Sequence, residues 1–338
     1  FLLCVKLCTS ESHFIYRFIK KMRIFTWLGS LVALILVIAG GAYFVAQSGL
    51  IDLDDAARKK APGSFATLSD GQVHYQWHGP EGGDITVMVH GLSTPSFVWK
   101  GLLKHMTDAG LRVLTYDLYG RGWSDRPDAD NNAEFFDRQL VELLKSQKVS
   151  GPVNLVGYSM GGAVAVNYTA NHPDAVTRLA LFAPAGYPDP KGVTTKMIGM
   201  MNMPIFGDWF MTIIGRKLMM RGMSAPHNQG PIIPDIVARY KEQISYKGFL
   251  RSMVSTMRHF PLTTLQTQYE VVGKQGLPVA AIWGDQDSVV PVWQADLVKN
   301  AVPHLQLHVI KGGYHSVPFI NTDESGPILA TFLTSPAG

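Results

Sequence analysis

Leu155-Val156-Gly157-Tyr158-Ser159-Met160-Gly161-Gly162 is the stretch whose reading decides the fold. The apolar, β-prone run Val153 to Val156 stops at a glycine. One serine follows, with a glycine two places to either side, and then the small residues Ala163 to Ala165 begin a helix-compatible run. The pattern predicts a strand, a very tight turn and a helix start. The turn forces the serine into a strained backbone conformation, and Gly157 and Gly161 are needed because a Cβ there would clash with the turn. The Ser159 hydroxyl then stands at the end of a strand and at the N-terminus of a helix, where the dipole and free N–H groups favour negative charge. That is the place for a serine nucleophile whose reaction develops an oxyanion. A Gly-rich strand-to-helix turn without chemistry has the same composition, so the flanking chain must decide.

A serine hydroxyl is a poor nucleophile at neutral pH and needs a base, an orienter for the base and donors for the oxyanion. The base candidate is His315, in Gly312-Gly313-Tyr314-His315-Ser316, which follows the last strand in a Gly-rich loop at the correct end of the sheet. The acid candidates are Asp285 and Asp287, both just after the buried strand Val279–Trp283. For the oxyanion, one N–H is expected from Met160, immediately after the serine, and one from Leu92 in the turn His90-Gly91-Leu92. His90 reads as a turn-shaping residue rather than a base.

Outward from this centre, strands and helices alternate. Strands are expected at Phe65–Leu68, Gln72–His78, Asp84–Val89, Leu111–Tyr116, Thr177–Phe182, Val279–Trp283 and Leu305–Val309. Helices are expected over 97–108, 131–147, 160–171, 291–300 and about 319–334. This order predicts a mostly parallel sheet with right-handed crossovers. Residues 186 to 270 break the rhythm with helices and loops, and read as a helical cap inserted over the carboxyl edge of the sheet. Eight methionines fall between Met197 and Met223. Methionine is soft and adaptable, so such a surface suits flexible apolar ligands as well as ordinary core packing.

The elements His90-Gly91, Asp117-Leu118-Tyr119-Gly120-Arg121-Gly122-Trp123-Ser124-Asp125, Gly157-Tyr158-Ser159-Met160-Gly161-Gly162, Gly284-Asp285-Gln286-Asp287 and Gly313-Tyr314-His315 resemble, together and in order, the α/β-hydrolase superfamily. The resemblance covers residues 65–335, and within the superfamily the chain is similar to capped esterases and monoacylglycerol-lipase-like enzymes. It implies an α/β-hydrolase fold over 64–338 with a cap at about 186–270. It also implies Ser159, Asp287 and His315 as the triad, choosing Asp287 over Asp285, and a structural role for Asp117–Asp125. Relatives that dehalogenate or open epoxides carry Asp at the nucleophile position. Ser159 therefore points to acyl transfer on a small-molecule carboxylic ester through an acyl-enzyme, with no metal or organic cofactor. Hydrolysis of a carbon–carbon bond in a diketone, acyl transfer to an alcohol, and a tethered binding protein without turnover are the alternatives. Arg216, Lys217 and Arg221 would serve the diketone reading if they faced the site.

The formal net charge of +4 lies wholly in residues 1–48, where five basic residues face one acidic residue; the remaining chain carries 25 of each. No basic face suggests nucleic acid. Both cysteines, Cys4 and Cys8, lie in the same N-terminal piece, so the main domain has no cysteine nucleophile and no thiolate metal site. Residues 1–23 form a basic segment, and Met22 reads as the natural start with 1–21 as upstream translated sequence. Residues 24–51 carry no charge. The stretch 24–48 is expected to be a transmembrane anchor by its length, with a cleaved signal sequence as the competing reading. Lys20, Lys21 and Arg23 precede it, and the positive-inside rule places the main domain on the outer side, periplasmic or extracellular. Residues 49–63 are a charged linker.

Overall fold

The computed structural model describes residues 2–336, without the side chains of residues 2–15 and Val193. The thiols of Cys4 and Cys8 therefore lie outside the described residues. The chain divides into two compact units, residues 1–49 and 50–338. The first is the helix α1 (Leu2–Ser48). Within it Tyr16–Ser48, 33 residues with an 18-residue window of mean hydropathy 2.3, is long and apolar enough to cross a membrane, a character that signal sequences share.

The second unit opens with the short helix α2 (Asp55–Arg58) and is built on eight strands. These are β1 (Ser64–Leu68), β2 (Gly71–His78), β3 (Ile85–Val89), β4 (Arg112–Tyr116), β5 (Val153–Tyr158), β6 (Val176–Phe182), β7 (Val279–Gly284) and β8 (Gln306–Ile310). Their order in the sheet is β1-β2-β4-β3-β5-β6-β7-β8. β1, β2 and β4 pair antiparallel, and every other pairing is parallel. The central strands β5 and β7 are buried along their whole length, as continuous apolar runs covered on both faces must be.

Helices α3 (Lys100–Asp108), α4 (Ala133–Ser146) and α5 (Met160–Asn171) connect the strands of the first half. α4 has a clear start: Asn132 caps it by accepting the Phe135 N–H at 2.9 Å, and its apolar face is Phe135, Phe136, Leu140, Leu143 and Leu144. Between β6 and β7 the chain is helical: α6 (Val193–Met201), α7 (Phe206–Phe210), α8 (Arg216–Met223), α9 (Ile236–Gln243), α10 (Phe249–His259) and α11 (Gln266–Gln275). One π turn, Met211–Gly215, joins α7 to α8. α12 (Gln294–Ala301), α13 (Val317–Ile320) and α14 (Thr322–Thr334) complete the unit. The single helix expected at 319–334 is split at Asn321, where the backbone leaves the helical region.

A parallel sheet sends the carboxyl ends of its strands to one edge, and ligands of such sheets bind there. Here β3, β5, β7 and β8 run parallel, and Val89 lies in register with Gly157. The segments that leave those four strands are the ones that carry Leu92, Ser159, Asp287 and His315.

Candidate active site

Ser159 sits between the last residue of β5 and the first of α5, with φ 54° and ψ −120°. A non-glycine residue with positive φ is a strained one, held only where its surroundings over-determine it. The Ser159 N–H donates to the Phe182 carbonyl at 2.9 Å, and the Ser159 carbonyl accepts from Gly162, Ala163 and Ala185. Two glycines make the turn possible. A Cβ on Gly157 would stand 2.4 Å from the Gly161 carbonyl oxygen, inside the turn. A Cβ on Gly161 would stand 2.1 Å from the Val89 carbonyl oxygen, so this glycine is needed for the approach of α5 to the end of β3 rather than for the turn itself.

His315 reaches the serine from the loop after β8. Its Nε2 lies 2.9 Å from Ser159 Oγ and its Nδ1 lies 2.6 Å from Asp287 Oδ2. A carboxylate at Nδ1 makes that nitrogen the donor, which leaves Nε2 free to accept the serine proton. The other Asp287 oxygen accepts the N–H groups of Val289 and Val290, at 2.8 and 2.9 Å. The Asp287 side chain is fully buried, so its orientation is fixed from both ends. Asp285 does different work: it is exposed and its Oδ1 accepts from Gly312 N–H at 2.7 Å, tying the β7 loop to the β8 loop. The fold therefore brings Ser159, His315 and Asp287 into one hydrogen-bonded chain and leaves Asp285 outside it.

His90 is buried with both nitrogens occupied. Nε2 accepts from Leu118 N–H at 2.9 Å, so Nδ1 carries the proton and donates to the Gly91 carbonyl at 2.8 Å. Burial drops its pKa to about 4, which keeps the ring neutral. It shapes the loop that presents Leu92 and has no lone pair left for a proton.

The Leu92 loop is held by Arg121, from the stretch expected to be structural, and by partners on α9 and α10 that the sequence did not mark. Arg121 is fully buried with no carboxylate partner, and its Nε donates to the Leu92 carbonyl at 2.9 Å. Its Nη1 and Nη2 donate to Ser252 Oγ and Thr256 Oγ1 on α10, each at 2.8 Å. Burial, with Arg126 nearby, pulls the guanidinium pKa down to about 9. Gln243 on α9 donates to the Ser93 carbonyl at 2.5 Å and accepts from Gly122 N–H. The helices between β6 and β7 are thus bolted to the loop that follows β3. A second clamp holds the His315 loop: Ser316 Oγ donates to the His227 carbonyl at 2.8 Å, and the His227 ring stacks on Tyr314 at 4.4 Å. No spacing in the sequence signals these long-range partners.

A cavity of about 380 Å³ opens on Ser159 and His315. Leu92, Tyr158 and Met160 form its floor side, and Met197, Ile198, Met219, Met223, Met253, Met257 and Leu262 come from the helical insertion. Three members of the methionine-rich run, Met197, Met219 and Met223, therefore line it. Met201 and Met211 are fully buried in the core, and Met203 is exposed. Among the described residues no Arg or Lys lines the cavity, so Arg216, Lys217 and Arg221 do not face it. Its size and apolar walls are those of a small-molecule site.

A family profile described as alpha/beta hydrolase fold matches residues 86–322. The monoacylglycerol lipase ABHD6 of Bos taurus is 24% identical over 297 residues, 80% of this chain and 82% of its own length. An uncharacterized protein of Mycobacterium tuberculosis is 25% identical over 247 residues, 69% of this chain and 70% of its own. Among solved structures, the enol-lactonase from Burkholderia xenovorans superposes with a TM-score of 0.67 at 19% identity, over 80% of this chain and all of that one.

Proposed function

The chain belongs to the alpha/beta hydrolase fold family, and from that premise we propose that it is a carboxylic ester hydrolase with Ser159 as nucleophile. The observation that carries this reading is the Asp287–His315–Ser159 hydrogen-bonded chain opening on an apolar cavity. His315 Nε2 takes the proton of Ser159 Oγ as the oxygen attacks the ester carbonyl. The charge that develops on the carbonyl oxygen goes to the N–H groups of Met160 and Leu92. Met160 is the first residue of α5, where an N–H has no partner within the helix. As the tetrahedral intermediate collapses, His315 gives its proton to the leaving alkoxide and the acyl group stays on Ser159. Water, deprotonated by the same histidine, attacks the acyl-enzyme and releases the acid. Asp287 orients the ring and stabilises the imidazolium.

The methionine-lined cavity, read as the underside of a cap over about 186–270, suits the apolar tail of a short- to medium-chain ester or a monoacylglycerol. The monoacylglycerol lipase among the relatives supports that substrate class. A dicarboxylate diketone would need cations in the cavity, and none lines it. The stretch 24–48 would hold the enzyme at a membrane with the hydrolase unit on the outer side, and protease protection in sealed vesicles tests that placement.

The test is hydrolysis of p-nitrophenyl esters, acetate to laurate, by the chain and by Ser159→Ala. Activity that disappears in the variant, with an optimum beyond acetate, is the expected result. Equal rates for the two proteins refute Ser159 as nucleophile. Inactivity of both on every ester turns the reading to diketone substrates or to a binding protein.

A further inference from the structure

The first half of the helical insertion leaves a row of apolar side chains open to solvent in whole or in part. Ile205 is 84% exposed, and Phe206, Ile214 and Leu218 are 44%, 36% and 49% exposed. Ile205 also has φ 65°, a conformation that β-branched residues avoid, so the backbone is held in a strained state that leaves an apolar side chain in solvent. Phe206, Phe210, Ile214 and Leu218 follow one another at intervals of four. On a helix of 3.6 residues per turn that spacing drifts around the axis. The wider π turn at Met211–Gly215 takes up part of the drift, so Phe206, Ile214 and Leu218 stay open to solvent while Phe210 packs against the core.

The charge on this segment is one-sided. From 191 to 229 the only acidic residue is Asp208, which pairs with Arg258, while Lys191, Lys196, Arg216, Lys217 and Arg221 form no ion pair among the described residues. The rest of the main domain is correspondingly acidic, since residues 49–338 are neutral in total. On α8, Lys217 and Arg221 are exposed and flank Leu218 at helical spacing, while Met219 and Met223 turn to the cavity and the half-buried Arg216 lies on their side of the helix.

We infer that this face, Ile205 to Arg221, docks on an anionic lipid bilayer, with the apolar side chains entering the interface and Lys217 and Arg221 meeting the headgroups. An interfacial helix has this makeup: Trp, Phe and Leu on the buried side and Lys and Arg beside them. The docking is independent of the ester-hydrolase reading and is a second contact besides the N-terminal helix.

The experiment uses the full chain in phospholipid nanodiscs, with Cys4→Ser and Cys8→Ser and an environment-sensitive nitrobenzoxadiazole label on Leu218→Cys. A second preparation carries the label on Lys104→Cys, an exposed site on α3. Discs of phosphatidylcholine are compared with discs that also contain phosphatidylglycerol. The expected result is a brighter, blue-shifted signal at 218 in the anionic discs only, with no change at 104. Each basic residue near an anionic surface favours docking roughly five-fold. Lys217→Glu with Arg221→Glu should therefore abolish the response while circular dichroism and melting stay as in the parent. Raising the salt to about 1 M, where screening acts within about 3 Å, should reverse it. The same emission at 218 in both discs overturns the inference, as does an equal response at 104. Brightening that depends on protein concentration in lipid-free detergent would assign the face to a second copy and overturn it as well.

Discussion

Among the described residues, two of the histidine–aspartate pairs have a fully buried carboxylate, and they differ in what the second ring nitrogen meets. His74 Nδ1 lies 2.8 Å from Asp117 Oδ2, and His315 Nδ1 lies 2.6 Å from Asp287 Oδ2. In both, the carboxylate is buried and also accepts two backbone N–H groups: Ser96 and Trp123 for Asp117, Val289 and Val290 for Asp287. The Nε2 of His74 meets the Pro62 carbonyl, which only accepts. A ring with an acceptor at each nitrogen is satisfied as the imidazolium. Burial works against that charge, but Asp117 outweighs it and raises the His74 pKa. The Nε2 of His315 meets a hydroxyl, which either donates or accepts, and opens on a cavity. The first pair is a closed ion pair that holds β2 to the loop after β4. The second has its far nitrogen on a hydroxyl at the wall of a cavity, the arrangement that the proposed proton transfer requires. On the proposed reading, the pair itself does not make a reactive site; the partner at the far nitrogen does.

The comparison breaks most sharply at His315. Replacing it by Gln is expected to lower kcat/KM for an ester by about 10⁴-fold or more, with the melting temperature shifted by only a few degrees. A large loss of stability there would place the two pairs in one class. The mirror substitution is Asp117→Asn, which leaves a buried imidazolium without its counterion. Removing one partner of a buried pair costs about 3–5 kcal/mol. For a unit of this size that corresponds to a melting temperature lower by roughly 10 °C. Turnover per folded molecule should change little, and calorimetry beside active-site titration separates the two quantities.

Arg121 tests how far support from the closed half reaches the open half. It belongs to the same Asp117–Asp125 stretch but donates to the Leu92 carbonyl. Arg121→Lys keeps the charge and loses the planar fork that joins Leu92 to Ser252 and Thr256. On the proposed mechanism a displaced Leu92 N–H weakens oxyanion stabilisation, so kcat should fall about ten- to a hundredfold with KM nearly unchanged. Steady-state kinetics on one ester read this directly, and a rise in KM alone would show that the contact shapes binding instead.

How much of this was legible in the sequence follows from the range of the interactions. The turn at Ser159 was legible because Gly157 meets a local steric requirement, whereas the need for Gly161 comes from the end of β3 and is not local. The sheet was legible because buried strands read as short apolar runs. Ser159, Asp287 and His315 were separable from other Ser, Asp and His residues by their place after strands and by the resemblance. Asp287 and Asp285 were not separable by composition. The structure distinguishes them because one faces the His315 ring and the other accepts from Gly312 in the β8 loop. Arg121 to Ser252, Gln243 to Ser93 and Ser316 to His227 join segments 89 to 150 residues apart. No periodicity encodes such contacts. Nor did the methionine-rich run reveal which side chains point inward, because Met211 and Met203 are the same residue type with opposite burial.

The smallest expected effect is also the most direct test of the difference between the pairs. The native state holds the His74 proton more tightly than the unfolded chain does, since its pKa is raised above 6.5. The resulting stabilisation is full below 6.5 and is lost as the pH rises through the native-state pKa. Asp117 has the opposite sign. Burial opposes its charge, but His74 and the N–H bonds hold its pKa below 3.8, so its contribution is full above 3.8 and is lost as the pH falls through the lowered value. Both contributions are complete between 3.8 and 6.5. Denaturant unfolding of the wild type and of His74→Gln with Asp117→Asn should therefore differ most within that window. The difference should narrow as the pH is raised from about 6 toward about 9, while the other histidines cancel between the two proteins. A difference that stays constant across that range would mean that His74 is neutral in the fold. Its Nε2–Pro62 contact would then carry no charge, and only the cavity beside Ser159 would distinguish the two pairs.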